Sequence, residues 1–295
     1  MDEQQAPLWF NALEWTINGY LNIPDPVPTG IGSIDYHLIG GIRPGVYTIL
    51  GRPGEGKSAL ALAIAERIAS RNEPVAIISL EMPAHDAWLR CASAYSMHNE
   101  STPTFSWSSS KMHSDVTVEY GGPNLSSGGD PIITAARVMA ENKVPLMIAE
   151  PSSPDISTVC DLLVRASDAG ARVAVLDYMQ LVDTPGIDRE HERIGTVMRS
   201  IVNVAKTCNL GIINIAAMNR EGLTGTPSMH SAAGSSLIEY ASTCVMTYTR
   251  SANDNNTDGS RSMLLDIQKN RNGMVTLSPI NIKYWPAFNW VEEVT

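Results

Sequence analysis

The residues best suited to chemistry lie in one short segment near the start of the chain. This segment reads Gly51-Arg52-Pro53-Gly54-Glu55-Gly56-Lys57-Ser58 and matches the pattern GxxxxGK[ST] at every fixed position. Glycines at these places let backbone N–H groups turn inward around phosphate oxygens. Lys57 is placed to neutralise the β and γ phosphates, and Ser58 to hold Mg²⁺. The segment therefore predicts a site for ATP and Mg²⁺, and the alternative is a glycine-rich turn without a ligand.

Two carboxylates are candidates for work on a bound triphosphate. Asp177 follows the apolar run 173–176 and is suited to support Mg²⁺ through water. Glu81 follows the apolar run 75–80 and is suited to act as the general base that orients an attacking water. If both runs are parallel strands, both carboxylates lie at the edge of the sheet that binds the phosphates. The alternatives are an aspartate that starts a turn and a solvated glutamate.

An alternation of strands and helices must position these groups. Runs typical of strands occur at 46–50, 75–80, 146–149, 173–176, 212–216 and 245–248. The first two runs are continuously rather than alternately apolar, which predicts a parallel sheet covered on both faces. Helices are predicted over 58–69, after Ser153-Pro154-Asp155 with Ser153 as the cap, and along the apolar stripe Ile194, Val197, Met198, Ile201, Val202 and Ala205. The pattern predicts an α/β fold.

The end of the chain follows a different pattern. Two strand-like runs, 263–268 and 275–284, flank Lys269-Asn270-Arg271-Asn272-Gly273. Because Asn-Gly is a strong signal for a tight hairpin turn, these runs predict a C-terminal β-hairpin. Residues 98–130 are rich in Ser, Thr, Gly and Pro and are predicted to form a surface excursion.

We divide the chain into an N-terminal arm, 1–22, and a main domain, 23–295. The arm has a short apolar helical face, which would pack either on the core of its own chain or on a neighbouring subunit. No stretch is apolar enough to span a membrane, and the acidic N-terminus lacks the features of a secretory signal, so we expect a cytoplasmic protein. The net charge of −10 argues against a broad basic DNA-coating surface, but it leaves room for a few contacts in a channel.

Four motifs in order show a resemblance to a known family. These motifs are the P-loop with the Pro-Thr-Gly segment before it, Ser79-Leu80-Glu81-Met82, Leu176-Asp177-Tyr178-Met179-Gln180-Leu181, and Lys269-Asn270-Arg271-Asn272-Gly273. Together they resemble the C-terminal, RecA-like motor domain of DnaB-type replicative DNA helicases, over about residues 24–295. The resemblance implies a RecA-like P-loop NTPase with a mostly parallel central sheet and a C-terminal β-hairpin.

The resemblance also implies how such a domain assembles. It implies a homo-oligomer, a hexameric ring with ATP between subunits, in which Lys269 and Arg271 reach the γ phosphate of the neighbour's ATP. Without the resemblance, both would be interpreted as solvated charges on a hairpin tip. It further implies 5′-to-3′ movement on single-stranded DNA, with a helicase loader or a primase as possible partners. Residues expected at the DNA are Arg220, Gly234, Ser235 and Ser236.

Two departures from the family pattern leave a second hypothesis open. Ala217 stands where the family has a phosphate-sensing glutamine, and an alanine side chain forms no hydrogen bond. Ala233 and Gly234 stand where the family has Arg-Glu, so one cation that contacts DNA phosphate is missing. The first hypothesis is an ATP-dependent ring helicase of DNA replication. The second is a RecA-like regulatory or recombination-accessory ATPase that does not unwind DNA.

Overall fold

The computed structural model describes residues 24–98, 138–218, 235–254 and 256–294. The predicted arm and nearly all of the predicted 98–130 excursion lie outside the described residues, as do Arg220 and Gly234. Within the described ranges, no helix is long and apolar enough to cross a membrane.

One mixed sheet organises this part of the chain, and it confirms the predicted α/β, RecA-like fold. Its nine described strands follow the order β3-β2-β4-β5-β1-β6-β7-β8-β9. Parallel pairing joins β1 Gly45–Gly51, β2 Val75–Ser79, β3 Leu146–Ala149, β4 Val173–Asp177, β5 Gly211–Ala217 and β6 Cys244–Arg250. Antiparallel pairing adds β7 Arg261–Asn270, β8 Ile280–Trp285 and β9 Trp290–Glu293.

Helices cover both faces of this sheet, as the apolar strands require. They are α1 Gly32–His37, α2 Lys57–Ala69, α3 Ala84–His98, α4 Ile156–Asp168, α5 Glu190–Thr207 and α6 Ser235–Ala241. Alternate strand residues face opposite cores: Ile49 belongs to the cluster that includes α2, and Leu50 to the one that includes α4 and α5. Every residue of β2 and β4 is therefore buried.

Helix α2 is the most deeply buried of the described helices, and its first two residues, Lys57 and Ser58, are the last two of the predicted phosphate loop. Its residues from Ala59 to Ala69 are all buried, and Leu60, Leu62 and Ile64 are at most 1% exposed. Burying each of these large side chains contributes about 1.5–3 kcal/mol to the free energy of unfolding. The loop before α2 is thus fixed to a part of the molecule that cannot shift without disrupting the core.

The predicted hairpin exists, but the prediction of a tight Asn-Gly turn is wrong. Strand β7 continues to Asn270, and its pairing with β8 stops at Leu265 and Ile280, so 271–279 form a longer connection. This connection docks on α1: Asn270 Nδ2 and the Met274 N–H both donate to the carbonyl of His37. A Cβ on Gly273 would lie 2.2 Å from the same carbonyl oxygen. The glycine serves this close approach rather than a two-residue turn.

Two other local predictions need correction. The cap of α4 is Asp155, not Ser153, because the Asp155 carboxylate accepts the N–H groups of Ser157 and Thr158. Strand β2 ends at Ser79, so Glu81 lies in the turn that follows it. The helical stripe on α5 is confirmed, except that Val202 is only half-buried.

Candidate nucleotide site

The predicted phosphate loop borders a cavity of about 350 Å³ at the carboxyl edge of the sheet. Gly54 and Gly56 adopt left-handed backbone angles, with φ of 77° and 90°, which side chains rarely allow. A Cβ on Gly56 would also lie 3.1 Å from Cε1 of Tyr284. Residues lining the cavity include Pro53, Gly54, Gly56, Lys57, Ser58, Ala59, Glu81, Met82, Arg90, Tyr178, Ile215, Ala217, Arg261 and Tyr284. The structure thus brings Lys57, Ser58 and Glu81 to one cavity.

Lys57 lies among opposite charges inside this cavity. Its Nζ donates to the carbonyl of Arg52 at 2.9 Å, across the loop. Burial lowers the pKa of Lys57, and the carboxylates of Glu55, Glu81 and Asp177 oppose that effect. The Arg52 N–H in turn donates to Oε2 of Glu55 at 2.9 Å. The hydrogen bond from Lys57 to a neutral carbonyl of its own loop is weaker than one to an anionic phosphate oxygen would be.

Ser58 and Asp177 meet as the metal assignment requires. Ser58 Oγ donates to Oδ1 of Asp177 at 3.0 Å, and Asp177 is 1% exposed. Burial raises the pKa of Asp177 to about 6, while the Ser58 hydroxyl and the nearby cations lower it. A buried carboxylate that is costly to ionise gains most from a bound cation. A hydroxyl and a carboxylate are oxygen donors of the kind that Mg²⁺ prefers, so this pair fits the ion.

Glu81 lies beside this pair because β2 and β4 end at the same level. Ser79 is paired with Asp177 in the sheet, and the Leu80 N–H donates to the Asp177 carbonyl at 2.7 Å. Glu81 is exposed at the cavity, and its negative charge raises the pKa of Asp177. The structure thus places a carboxylate at the cavity, next to the Ser58–Asp177 pair.

Four side chains at the cavity were given no role by the sequence analysis. Arg90, on α3, carries a positive charge that lowers the pKa of Asp177. Arg261 and Tyr284 are paired across β7 and β8, and this pairing brings both to the cavity. Tyr178 follows Asp177 directly and is half-buried. A helical residue and two residues paired across strands form no contiguous motif, so only the three-dimensional arrangement identifies them.

Lys269 and Arg271 are not among the residues that line this cavity. Both instead contact the C-terminal end of α6 in the same chain. Lys269 Nζ donates to the carbonyls of Ser242, at 3.0 Å, and of Glu239, and Arg271 Nη2 donates to the carbonyl of Tyr240. Lys269 lies within β7 and is half-buried, whereas Arg271 is exposed. The structure therefore keeps both cations close together and outside the nucleotide cavity of their own chain.

Only part of the predicted DNA-contacting set can be placed. Arg220 and Gly234 lie outside the described residues, whereas Ser235 and Ser236 form the start of α6. This helix packs on α5, where Leu237 Cδ1 would lie 2.8 Å from a Cβ on Gly195. The C-terminal end of the same helix receives Lys269 and Arg271. The same short helix thus begins with two of the residues predicted to contact DNA and, at its other end, contacts the two cations predicted to reach the neighbour's ATP.

The fold and the cavity together define the class of the protein, which is a RecA-like P-loop domain. The family can be stated as well. The chain belongs to the DnaB-like helicase C-terminal domains, whose family model matches residues 26–289. The resemblance stated from the four motifs is confirmed.

Individual relatives agree with this family. The replicative DNA helicase DnaC of Bacillus subtilis (strain 168) is 25% identical over 270 residues, which cover 89% of this chain and 56% of that protein. The chain spans about half the length of the curated relatives it matches. Among solved structures, the ATPase domain of G40P has a TM-score of 0.76 at 16% identity and covers 96% of this chain and 98% of its own. A DnaB-like replicative helicase studied with its interactions with primase has a TM-score of 0.77 at 16% identity, over 97% of this chain and 68% of its own. At these identities, the two structures show the fold alone.

Proposed function

We propose that this chain binds and hydrolyses ATP with Mg²⁺ as the motor domain of a ring-shaped DNA helicase that acts in replication. The observation that carries the proposal is that Lys57, Ser58 and Glu81 line one cavity, with the buried Asp177 in direct contact with Ser58. Because the chain belongs to the DnaB-like helicase family, we assign this candidate ATP site to a helicase motor.

The chemistry follows from what each group can do. Backbone N–H groups of the loop and Lys57 hold the phosphates, and Lys57 exchanges the Arg52 carbonyl for phosphate oxygen. Ser58 and Asp177 would hold Mg²⁺, which would supply neutralisation of phosphate charge. Glu81 orients the attacking water and takes its proton as the bond to the leaving oxygen breaks. The positive charge of Arg90 favours the ionised form of Asp177, which is the form that binds a metal ion.

The nucleoside would occupy the end of the cavity formed by the C-terminal strands. Tyr284 lies against Gly56, and Arg261 is its partner across the strands. An aromatic ring and a guanidinium group are both planar, and both suit contact with the face of a base. These two residues would therefore hold the base and ribose end of ATP.

Lys269 and Arg271 would act on the ATP of a neighbouring subunit. Both lie outside their own cavity and donate only to main-chain carbonyls in the contacts described above. A phosphate is a stronger partner for these cations than a neutral carbonyl, so a neighbour's ATP would draw them away from α6. This placement supports a homo-oligomer, a hexamer in the family pattern, with a site at each interface.

Single-stranded DNA would pass beside α6. Backbone N–H groups at Gly234, Ser235 and Ser236, together with Arg220, would hold its phosphates without reading sequence. The overall charge of −10 is consistent with few such contacts. Movement is expected to be 5′-to-3′ and the location cytoplasmic. A loader or a primase would be the partner.

The decisive experiment measures ATPase rate with and without single-stranded DNA, together with particle mass in the same buffer. An ATPase rate that rises with single-stranded DNA, together with the mass of a hexamer, supports the proposed motor function. A second arm mixes Lys57→Ala subunits, which keep Arg271, with Arg271→Ala subunits, which keep an intact phosphate loop. If sites form between subunits, the mixture regains ATPase activity that neither variant has alone. A monomer that hydrolyses ATP at full rate contradicts the proposal.

The second candidate, a regulatory ATPase without unwinding, is favoured by one observation. Ala217 lines the cavity, where it cannot donate to a phosphate. ATP turnover that DNA leaves unchanged, in a particle that separates no strands, would select this candidate.

A further inference from the structure

We propose that Ser79 and Glu150 are positioning residues that fix the turn carrying Glu81 and so set its place at the ATP phosphates. This inference rests on the proposed function, in which Glu81 is the base. The turn, residues 80–83, joins β2 to α3. Because Glu81 is exposed, packing cannot hold its side chain, and its position depends on the main chain of this turn.

The first anchor is a hydrogen bond across the turn. Ser79 is 1% exposed, and its Oγ donates to the carbonyl of Met82 at 2.6 Å. On the opposite side of Glu81, the Leu80 N–H donates to the carbonyl of Asp177 at 2.7 Å. Both residues that flank Glu81 are therefore tied to the buried strand ends, one to β2 and the other to β4.

The second anchor is a helix cap supplied by another strand. Pro83 precedes α3, and its carbonyl accepts the N–H groups of Asp86 and Ala87, but it has no side-chain acceptor for the N–H of Ala84. Glu150, which directly follows β3, fills this role: its Oε2 accepts the Ala84 N–H at 2.8 Å. A carboxylate is favoured at the positive end of a helix. The edge strand β3 thus holds the start of α3 through one side chain.

The consequence concerns turnover rather than nucleotide affinity. Phosphate binding depends on Lys57 and the loop, which neither anchor contacts, whereas water attack depends on where Glu81 lies. Misplacement of a catalytic group by about 1 Å can lower a rate by about a hundredfold. Glu150 acts in addition on Arg90, because the helix that it caps carries this cavity residue. Loss of either anchor should therefore lower kcat and leave ATP binding nearly unchanged.

The test uses the full chain in three variants, Ser79→Ala, Glu150→Ala and Glu150→Gln, with two matched controls. Ser96→Ala removes a similar serine-to-carbonyl bond within α3, at 2.7 Å from Oγ to the Ser93 carbonyl. Glu141→Ala removes an exposed glutamate away from the turn. Measurements are kcat, the Kd for a non-hydrolysable ATP analogue, and Tm, all at a temperature below every melting transition.

We expect Ser79→Ala and Glu150→Ala to lower kcat about tenfold, with little change in Kd. Glu150→Gln keeps an acceptor oxygen and should recover most of the rate. Both controls should match the unmodified chain. Unchanged kcat in both alanine variants overturns the proposal, and so does a parallel loss of kcat and binding. If Ser79→Ala does not fold, the comparison of Glu150→Ala with Glu150→Gln decides alone. Full turnover in Glu81→Gln contradicts the proposed function instead, so the two failures remain distinct.

Discussion

Ser58 Oγ donates to Oδ1 of Asp177 at 3.0 Å, which joins the start of α2 to the end of β4. The two residues are far apart in the chain, and the parallel strand order brings them together at one edge of the sheet. This pair is where Mg²⁺ would bind, and the ionised form of its buried carboxylate is energetically unfavourable in the folded protein without the metal. Burial raises the pKa of Asp177 to about 6, so the folded protein resists the charge that the metal needs.

Asp177→Asn should therefore separate stability from activity. Asn keeps an acceptor for Ser58 but removes a buried charge, so the metal-free protein should gain on the order of 1–3 kcal/mol in the free energy of unfolding at pH 7.5. ATP turnover with Mg²⁺ should be lost. Denaturant unfolding and an ATPase assay measure the two effects. A variant that is less stable than the unmodified chain would show that Asp177 contributes favourable contacts that outweigh its burial.

The difference in stability between Asp177→Asn and the unmodified chain should depend on pH. The pKa of Asp177 is about 6 in the folded chain and near 3.8 when unfolded, so between these values the folded state holds the proton more tightly. The contribution of Asp177 to stability is therefore greatest below about pH 3.8 and is lost as pH rises through about 6. Asp177→Asn should match the unmodified chain near pH 4 and exceed it increasingly up to about pH 7. Melting of both proteins across this range, without metal, measures the effect; a constant difference would contradict it.

The sequence predicted the parallel part of the fold well, for a physical reason. Strands covered on both faces are almost entirely apolar, so 46–50 and 173–176, which are buried throughout, stand out without a partner in view. Helix α3 was missed because small residues bury its inner face: Ala87, Ala92 and Ala94 are fully buried but give no strong apolar stripe.

The site was predictable where its residues are contiguous and not where they meet only in space. The phosphate loop, Asp177 at the end of β4 and Glu81 just after β2 follow from local pattern. Arg90 and the pair of Arg261 with Tyr284 depend on helix phase and on strand register. The sequence also places Asn270 and Gly273 in a tight turn, because it cannot show that His37 lies against them. Long-range contacts decide such positions.

Gly56→Ala should weaken nucleotide binding through two effects. At φ of 90° an alanine is strained by about 1–2 kcal/mol. Its Cβ would also press on Tyr284 at 3.1 Å, next to the phosphates. Affinity for a fluorescent ATP analogue should fall more than about tenfold. Gly259→Ala is the matched control, since it has φ of 77° but open space around the added Cβ. Equal loss of affinity in both variants would attribute the effect to global strain.

Arg271→Ala and Lys269→Ala should differ in what they disturb. Arg271 is exposed, so its loss should leave Tm nearly unchanged, keep ATP binding and remove turnover. Lys269 is half-buried and donates to two carbonyls at the C-terminal end of α6, so its loss should also cost about 1 kcal/mol in stability. Tm, Kd and kcat of both variants check this. If Arg271→Ala lost ATP binding and ATP hydrolysis equally, Arg271 would not be a residue that acts on the ATP of a neighbouring subunit.

Ala217→Gln should strengthen the coupling of ATP hydrolysis to DNA. Ala217 lines the nucleotide cavity at the end of β5, and its carbonyl already accepts Nε2 of Gln180 at 3.4 Å. A glutamine there would carry an amide donor towards the phosphates, from the strand that leads directly into the predicted DNA-contacting segment. The ratio of ATPase rates with and without single-stranded DNA should rise, while ATP affinity changes little. Ala217→Leu adds similar bulk without a donor and should leave the ratio unchanged or lower it. If both variants raised the ratio equally, cavity shape rather than phosphate contact would set the coupling.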